Sequence, residues 1–201
     1  TATAVSGVAT FTTVGISGTA GTSYTLTFAS VPVLTAATQA IVPTVGAATQ
    51  LGLTTPAAGA VSGAAFTTQP VVAVRDGAGN TVTADNTTVV TMTVSAGATV
   101  VGTATATALS GVATFTTVGI SGTAGTSYTL TFASGALTAA TQAIVPTVGA
   151  ASQLALTTAA AGAVSGAAFT TQPVVAVRDG AGNTRTTDNS TVVTMTVSAG
   201  A

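Results

Sequence analysis

The sequence predicts an all-β protein made of tandem antiparallel β-sandwiches, and three observations carry that prediction. Apolar and polar residues alternate with a period of two: in residues 90–95, Val90, Met92 and Val94 mark one face and Thr91, Thr93 and Ser95 the other. A strand with one buried and one solvated face reads this way. Corners rich in Gly, Ser, Asn and Asp recur at intervals of about ten residues, the spacing of a sandwich of short strands. The chain also repeats itself, since residues 41–46 return at 144–149 and residues 6–11 at 110–115. No apolar stripe at helical spacing with caps interrupts this pattern.

The repeat sets the domain organisation. Residues 1–46 match the second half of a unit, 47–149 form one complete unit, and 150–201 match the first half. The register slips by one residue where Val31-Pro32-Val33 is replaced by the shorter Gly135-Ala136. Within the complete unit, strands are expected at 50–54, 70–75, 90–95, 103–109, 112–117, 128–132 and 137–145. Corners are expected at 59–63, 76–80, 85–86, 95–97, 110–111 and 121–125. The run from Gln69 to Asn80 recurs letter for letter from Gln172 to Asn183. It is an apolar strand that ends in a charged, glycine-rich corner, where Asp76 and Asn80 satisfy backbone N–H groups and the glycines take positive φ.

A half-sandwich exposes the inner faces of its sheets, and pieces of about 50 residues are too small to sustain a core. Residues 1–46 and 150–201 are therefore expected to need complements. Residues 99–104 stand between Ala98, the counterpart of Ala201, and Thr105, the counterpart of Thr1. That register favours a window in a continuous covalent array over donation of halves from one chain to the next. The chain opens at Thr1 with no signal peptide in view, as a processed or truncated product does.

Composition excludes most chemistry. The chain of 201 residues has no Cys, His or Trp, and its only charges are three arginines (Arg75, Arg178, Arg185) and four aspartates (Asp76, Asp85, Asp179, Asp188), for a net charge of -1. Disulfides, thiolate metal sites and histidine-based nucleophile pairs are absent. Without a basic stripe there is no nucleic-acid footprint. Mean hydropathy is high at +0.70, yet Thr, Ser or Gly breaks every apolar run before the roughly 20 residues that a spanning helix needs. Aromatic residues, at 4%, are too few for the girdles of a membrane barrel.

Residue patterns then resemble a known family. A strand, an Asp-x-x-Gly-Asn corner, a Gly-Val-Ala-Thr-Phe strand and a closing Tyr-Thr-Leu-Thr-Phe strand resemble the bacterial immunoglobulin-like repeat of invasin- and intimin-type surface proteins. The matching residues are Asp76, Gly79 and Asn80 with Asp179, Gly182 and Asn183; Gly111 to Phe115 with Gly7 to Phe11; and Tyr128 to Phe132 with Tyr24 to Phe28. The resemblance implies tandem immunoglobulin-like sandwiches stacked end to end in an extracellular, cell-surface stalk or fibre.

Four candidate sites stand against plainer readings. Asp76, Asn80, Asp85 and Asn86 offer oxygens to calcium, but six to eight are wanted, and Asx turns explain the same residues. Asn86-Thr-Thr88 and Asn189-Ser-Thr191 fit the glycosylation sequon. Thr103, Thr105, Thr107, Thr129, Thr131, Thr91 and Thr93 could form an ice-, glycan- or host-binding array, although β-branched Thr also suits any exposed strand. Gln39, Gln50, Gln69, Gln142, Gln153 and Gln172 could form Thr–Gln ester cross-links, without a helper acid or base in the pattern. No catalytic, cofactor-binding or metal-binding residue is assigned. The expected function is a non-enzymatic structural module of a bacterial filament, sheath or adhesin stalk, with copies of itself as partners head to tail and laterally. The alternatives are a surface-binding module acting through its Thr faces and an accessory domain of a secreted carbohydrate-active enzyme. With no lysine to guard them, sheet edges are expected to be covered in use, by lateral packing or by glycans.

Overall fold

The computed structural model describes residues 1–198, and among them there is no helix. The all-β class holds. In the first segment, β1 (Ala4–Val5) pairs with β2 (Val8–Ala9), and β3 (Tyr24–Phe28) with β4 (Ala37–Ile41). The central segment carries β5 (Gln50–Thr55), β6 (Ala64–Ala65), β7 (Val71–Arg75), β8 (Val89–Val94) and β9 (Ala98–Val101). It continues with β10 (Thr105–Leu109), β11 (Val112–Thr114), β12 (Gly119–Gly122), β13 (Tyr128–Ala133) and β14 (Ala140–Ile144). In the last segment β15 (Gln153–Thr158) pairs with β16 (Val174–Arg178).

The central segment is an antiparallel sandwich. Seven strands run in the order β14-β13-β8-β10-β11-β7-β5, and a separate ladder runs β6-β12-β9. The hairpin β10–β11 joins the two layers on one side. On the other, the two ends of the seven-stranded order meet, β5 against the segment that leads into β14: Leu51 N donates to Thr138 O at 2.8 Å and Thr138 N to Thr49 O at 3.0 Å. The Gln142 side chain completes that seam, with Nε2 donating to Ala57 O at 2.6 Å and Oε1 accepting from Ala57 N at 2.8 Å. The seam therefore ties together the two outer strands of the seven-stranded sheet, while β6 and β9 stay at the edges of the three-stranded ladder.

Alternation places the inward residues in one core. Val72, Val74, Val90, Met92, Leu130 and Phe132 are buried, and the Phe115 and Phe132 rings meet edge-on with centroids 5.7 Å apart. With no disulfide and so little charge, this apolar burial, worth about 25 cal/mol per Å², is the main source of stability. The β10–β11 turn shows how local chemistry fixes register. Ser110 and Gly111 both take positive φ, 50° and 76°, as a two-residue hairpin that follows the strand twist requires. A side chain on Gly111 would also strike Val82 O at 2.5 Å.

Three short strands escape the sequence pattern. β6, β9 and β12 were not expected, and β12 ends inside the predicted corner 121–125. Gly119 and Gly122 give β12 no alternation, and it is recognisable through its pairing with Val101 and Ala98 on β9 and with Ala65 and Ala64 on β6.

The flanking segments repeat the central sequence but not its burial. Phe11 and Phe28 still meet at 5.6 Å, so local pairing survives in the first half-unit. Val14, however, is 67% exposed where Val118 is 0%, and Met195 is 64% exposed where Met92 is 1%. Residues 192–197 repeat β8 letter for letter yet form no strand. β8 sits between β13 and β10, taking ladder bonds from both, and the last segment has neither neighbour. Here tertiary context, not propensity, decides.

Candidate intermodule interface

The corner that ends β7 does more than turn the chain. Asp76 Oδ1 accepts from Ala78 N at 3.0 Å and Asn80 N at 2.9 Å, which closes the Asx turn that the sequence predicts. Its Oδ2 then reaches outside the turn and accepts from Gly46 N at 2.9 Å. Asn80 reaches further: its Nδ2 donates to Gly18 O at 3.0 Å, and its Oδ1 accepts from Ala20 N at 2.9 Å. One Asp-Asn pair therefore clasps a loop and the last residue of the preceding repeat.

The clasp recurs at the next junction with the same atoms. Asp179 Oδ2 accepts from Gly149 N at 2.8 Å, Asn183 Nδ2 donates to Gly122 O at 2.9 Å, and Asn183 Oδ1 accepts from Ala124 N at 2.8 Å. This second clasp has additional bonds. Arg185, where the first copy has Val82, donates from Nη1 to Gly149 O at 2.7 Å. Ser62 Oγ donates to Gly122 O at 2.9 Å and accepts from Gly122 N at 3.1 Å. The receiving loop is propped by Tyr128, whose hydroxyl accepts from Thr123 N at 2.9 Å and donates to Gly97 O at 3.2 Å.

Donors surrounding a carboxylate favour its ionised form. The Asn80 side chain and then the Gly46 amide lower Asp76 to about 2. Burial pushes Asp179 up, but the Asn183 side chain and the Gly149 amide overcome it, and the net shift is downward. Asp85 is lowered by the Thr88 hydroxyl and the Thr87 and Thr88 amides. Asp188 is lowered to about 2, chiefly by the Ser190 amide and the Thr191 hydroxyl.

These bonds also locate the other candidates. The oxygens of Asp76 and Asp85 are taken by N–H and O–H donors of two separate turns. Asn86 Oδ1 accepts from Ser110 N at 2.8 Å and holds the β10–β11 hairpin. Among the described residues, no three of His, Cys, Asp or Glu gather as a metal site. Asn86 and Asn189 are both exposed. Register sets Thr141, Thr131 and Thr93 in one row across β14, β13 and β8, and Thr105 opposite Thr91, while Ala143 faces Thr129 and Ala133 faces Thr91. The glutamines stand in for backbone: Gln69 bonds Phe66 O and Val118 on both sides, Gln50 and Gln153 donate to Asp76 O and Asp179 O, and Gln172 donates to Phe169 O.

Sequence reasoning found the turn and missed its reach. Asp76 and Asn80 satisfy one turn equally well with or without a neighbour, so nothing local signals Gly18 or Gly46. The one available signal was Tyr128, an aromatic with a polar tip at an inward position, which needs a partner when buried.

No family model matches the chain, and no curated protein is detectably similar to it in sequence. Among solved structures, it is similar to part of a glycosyl hydrolase family 2 member from Bacteroides cellulosilyticus, with 15% identity, a TM-score of 0.41, and 55% of this chain and 15% of that chain covered. A second structure of a family 2 member from B. cellulosilyticus DSM 14838 gives 14% identity, a TM-score of 0.39 and coverages of 54% and 16%. The match therefore spans a small part of those hydrolases. No helix of the described residues is long and apolar enough to cross a membrane.

Proposed function

We propose that the chain is a structural segment of a bacterial extracellular filament, sheath or adhesin stalk, built of tandem immunoglobulin-like repeats and without catalysis. The observation that carries this reading is the duplicated clasp: the same aspartate and asparagine grip the same backbone atoms at both junctions. A joint that repeats with the sequence propagates a regular array, in which stability is a sum of unit and neighbour terms. The half-units at either end are completed by adjoining repeats. The test is small-angle scattering on the chain lengthened by further copies of residues 47–149. The maximum dimension should grow by a constant increment per copy, and compact or randomly jointed particles would overturn the reading.

A second reading rests on the row Thr141, Thr131 and Thr93. It makes the exposed sheet face a binding surface for ice, glycan or a host surface. Thermal hysteresis or glycan-array binding that disappears in Thr93→Lys and Thr131→Lys variants would favour it, and a silent wild type would dismiss it.

A further inference from the structure

The first clasp borders a cavity of about 420 Å³, lined by Ile16, Gly18, Thr44, Gly46, Asp76 and Gly77 among others. At the second clasp the corresponding space is filled by the turn following Val61. There Ser62 N donates to Thr147 O, Gly63 N to Ile120 O, and Thr147 N to Ala60 O, each at 2.9 Å. The fit is close enough that a side chain on Gly149 would strike Ser62 O at 2.0 Å, whereas one on Gly46 would meet only the Asp76 side chain, at 3.5 Å. Residues 163–166 repeat the filling turn as Ala163, Val164, Ser165 and Gly166. Val164 there is exposed.

We propose that two copies of this chain associate by rebuilding the central sandwich between them, residues 150–198 of one copy docking on residues 1–46 of the next. The proposal rests on the repeat-array reading and deepens it by naming a second, separate chain as a competent partner. The central module supplies the register. Val89 faces Thr107 and Thr93 faces Thr131, so Val192 of the second copy faces Thr3, and Thr196 of the second copy faces Thr27. Residues 192–197, without strand structure in the single chain, become the strand between β1 and β3. Ser165 of the second copy enters the cavity and bonds Gly18 as Ser62 bonds Gly122. Gln39 takes the backbone of Ala160 as Gln142 takes Ala57. The apolar surfaces that meet are those with buried counterparts in the central module: Phe11, Val14 and Ile16 on one side, Leu154 and Met195 on the other.

The chain has no cysteine, which gives a clean test. Thr3→Cys and Val192→Cys single variants are mixed and air-oxidised, with Thr3→Cys and Thr194→Cys as the off-register pair. Val89→Cys with Thr107→Cys within one chain is the geometric control. Sedimentation of each variant confirms that it still folds and associates. The mixed disulfide dimer should form at least tenfold faster for the matched pair, and Ser165→Tyr, too large for the cavity, should weaken association at least tenfold. Association with equal cross-linking of both pairs, or indifference to Ser165→Tyr, would overturn this docking mode and leave the repeat-array reading standing. A chain that stays monomeric at high concentration would overturn it as well, while the scattering increment per added repeat still judges the array independently.

Discussion

Replacing Asn183 by alanine removes three hydrogen bonds from the second clasp and leaves the turn that carries them in place. The side chain is bonded to Gly122 O at 2.9 Å, to Ala124 N at 2.8 Å and to Asp179 Oδ2 at 2.8 Å. Two of these are neutral pairs worth about 1 kcal/mol net, and one involves a carboxylate and is worth somewhat more. Gly122 O keeps its bond from Ser62, and Asp179 keeps three backbone donors, Gly149, Ala181 and Asn183. Only Ala124 N is stranded, so the expected loss is about 2–4 kcal/mol. At about 1.4 kcal/mol per factor of ten, the junction should open about 30 to 700 times more often. Native-state hydrogen exchange reads this directly at the Ala124 amide, because local opening sets the rate of exchange. The urea midpoint of the central core should hardly move, since Asn183 lies outside it. Exchange at Ala124 within about threefold of wild type would refute the claim that Asn183 holds the repeats together. Asn183→Asp should open the junction further, because it sets a second carboxylate oxygen against Asp179 and Gly122 O.

Three further outcomes follow from the same geometry. Asp76 has a folded-state pKa of about 2, below its ordinary value, so its stabilisation of the first clasp is full above about pH 4 and is lost as pH falls toward 2; exchange at the Gly46 amide should accelerate across that window and stay flat, after correction for intrinsic rate, from pH 5 to 7. Phe132→Ala, at a fully buried site, should cost about 3–5 kcal/mol, whereas Phe28→Ala, at a site already 39% exposed, should cost roughly half as much or less in dilute solution. Urea unfolding and exchange at β13 and β3 amides check the pair. Arg185→Val restores the chemistry of the first junction, strips Gly149 O of its side-chain donor, and should cost about 1–2 kcal/mol, bringing exchange at Gly149 closer to that at Gly46.

The sequence was most informative where side chains alternate across a sheet. β7, β10 and β14 fall within the runs expected for them, and β5, β8 and β13 depart from theirs by one residue at an end, because one buried face imposes a period of two. β6, β9 and β12 were illegible because none carries an alternating apolar run: they are two alanines, a short run after a glycine, and a strand with glycine at both ends. The Asx corner was read correctly as a turn. Its second use was hidden because Gly18 and Gly46 offer only main-chain atoms, which leave no trace in residue identity. The fate of residues 192–197 could not be read either, since the same letters make a strand at β8 and none here.

The seam that closes the central module also determines how it answers a pull. The chain enters at Ala47 and leaves at Gly149, and the bridges Gln50 to Thr138 and Val61 to Thr147 join segments that run parallel. Tension between the two ends therefore drags these segments past one another and stretches the bonds at Thr138, Gln142 and Thr147 in shear, all at once, instead of peeling them one by one. A thread of such modules would resist extension with its first and last strands while the hydrophobic interior stayed dry.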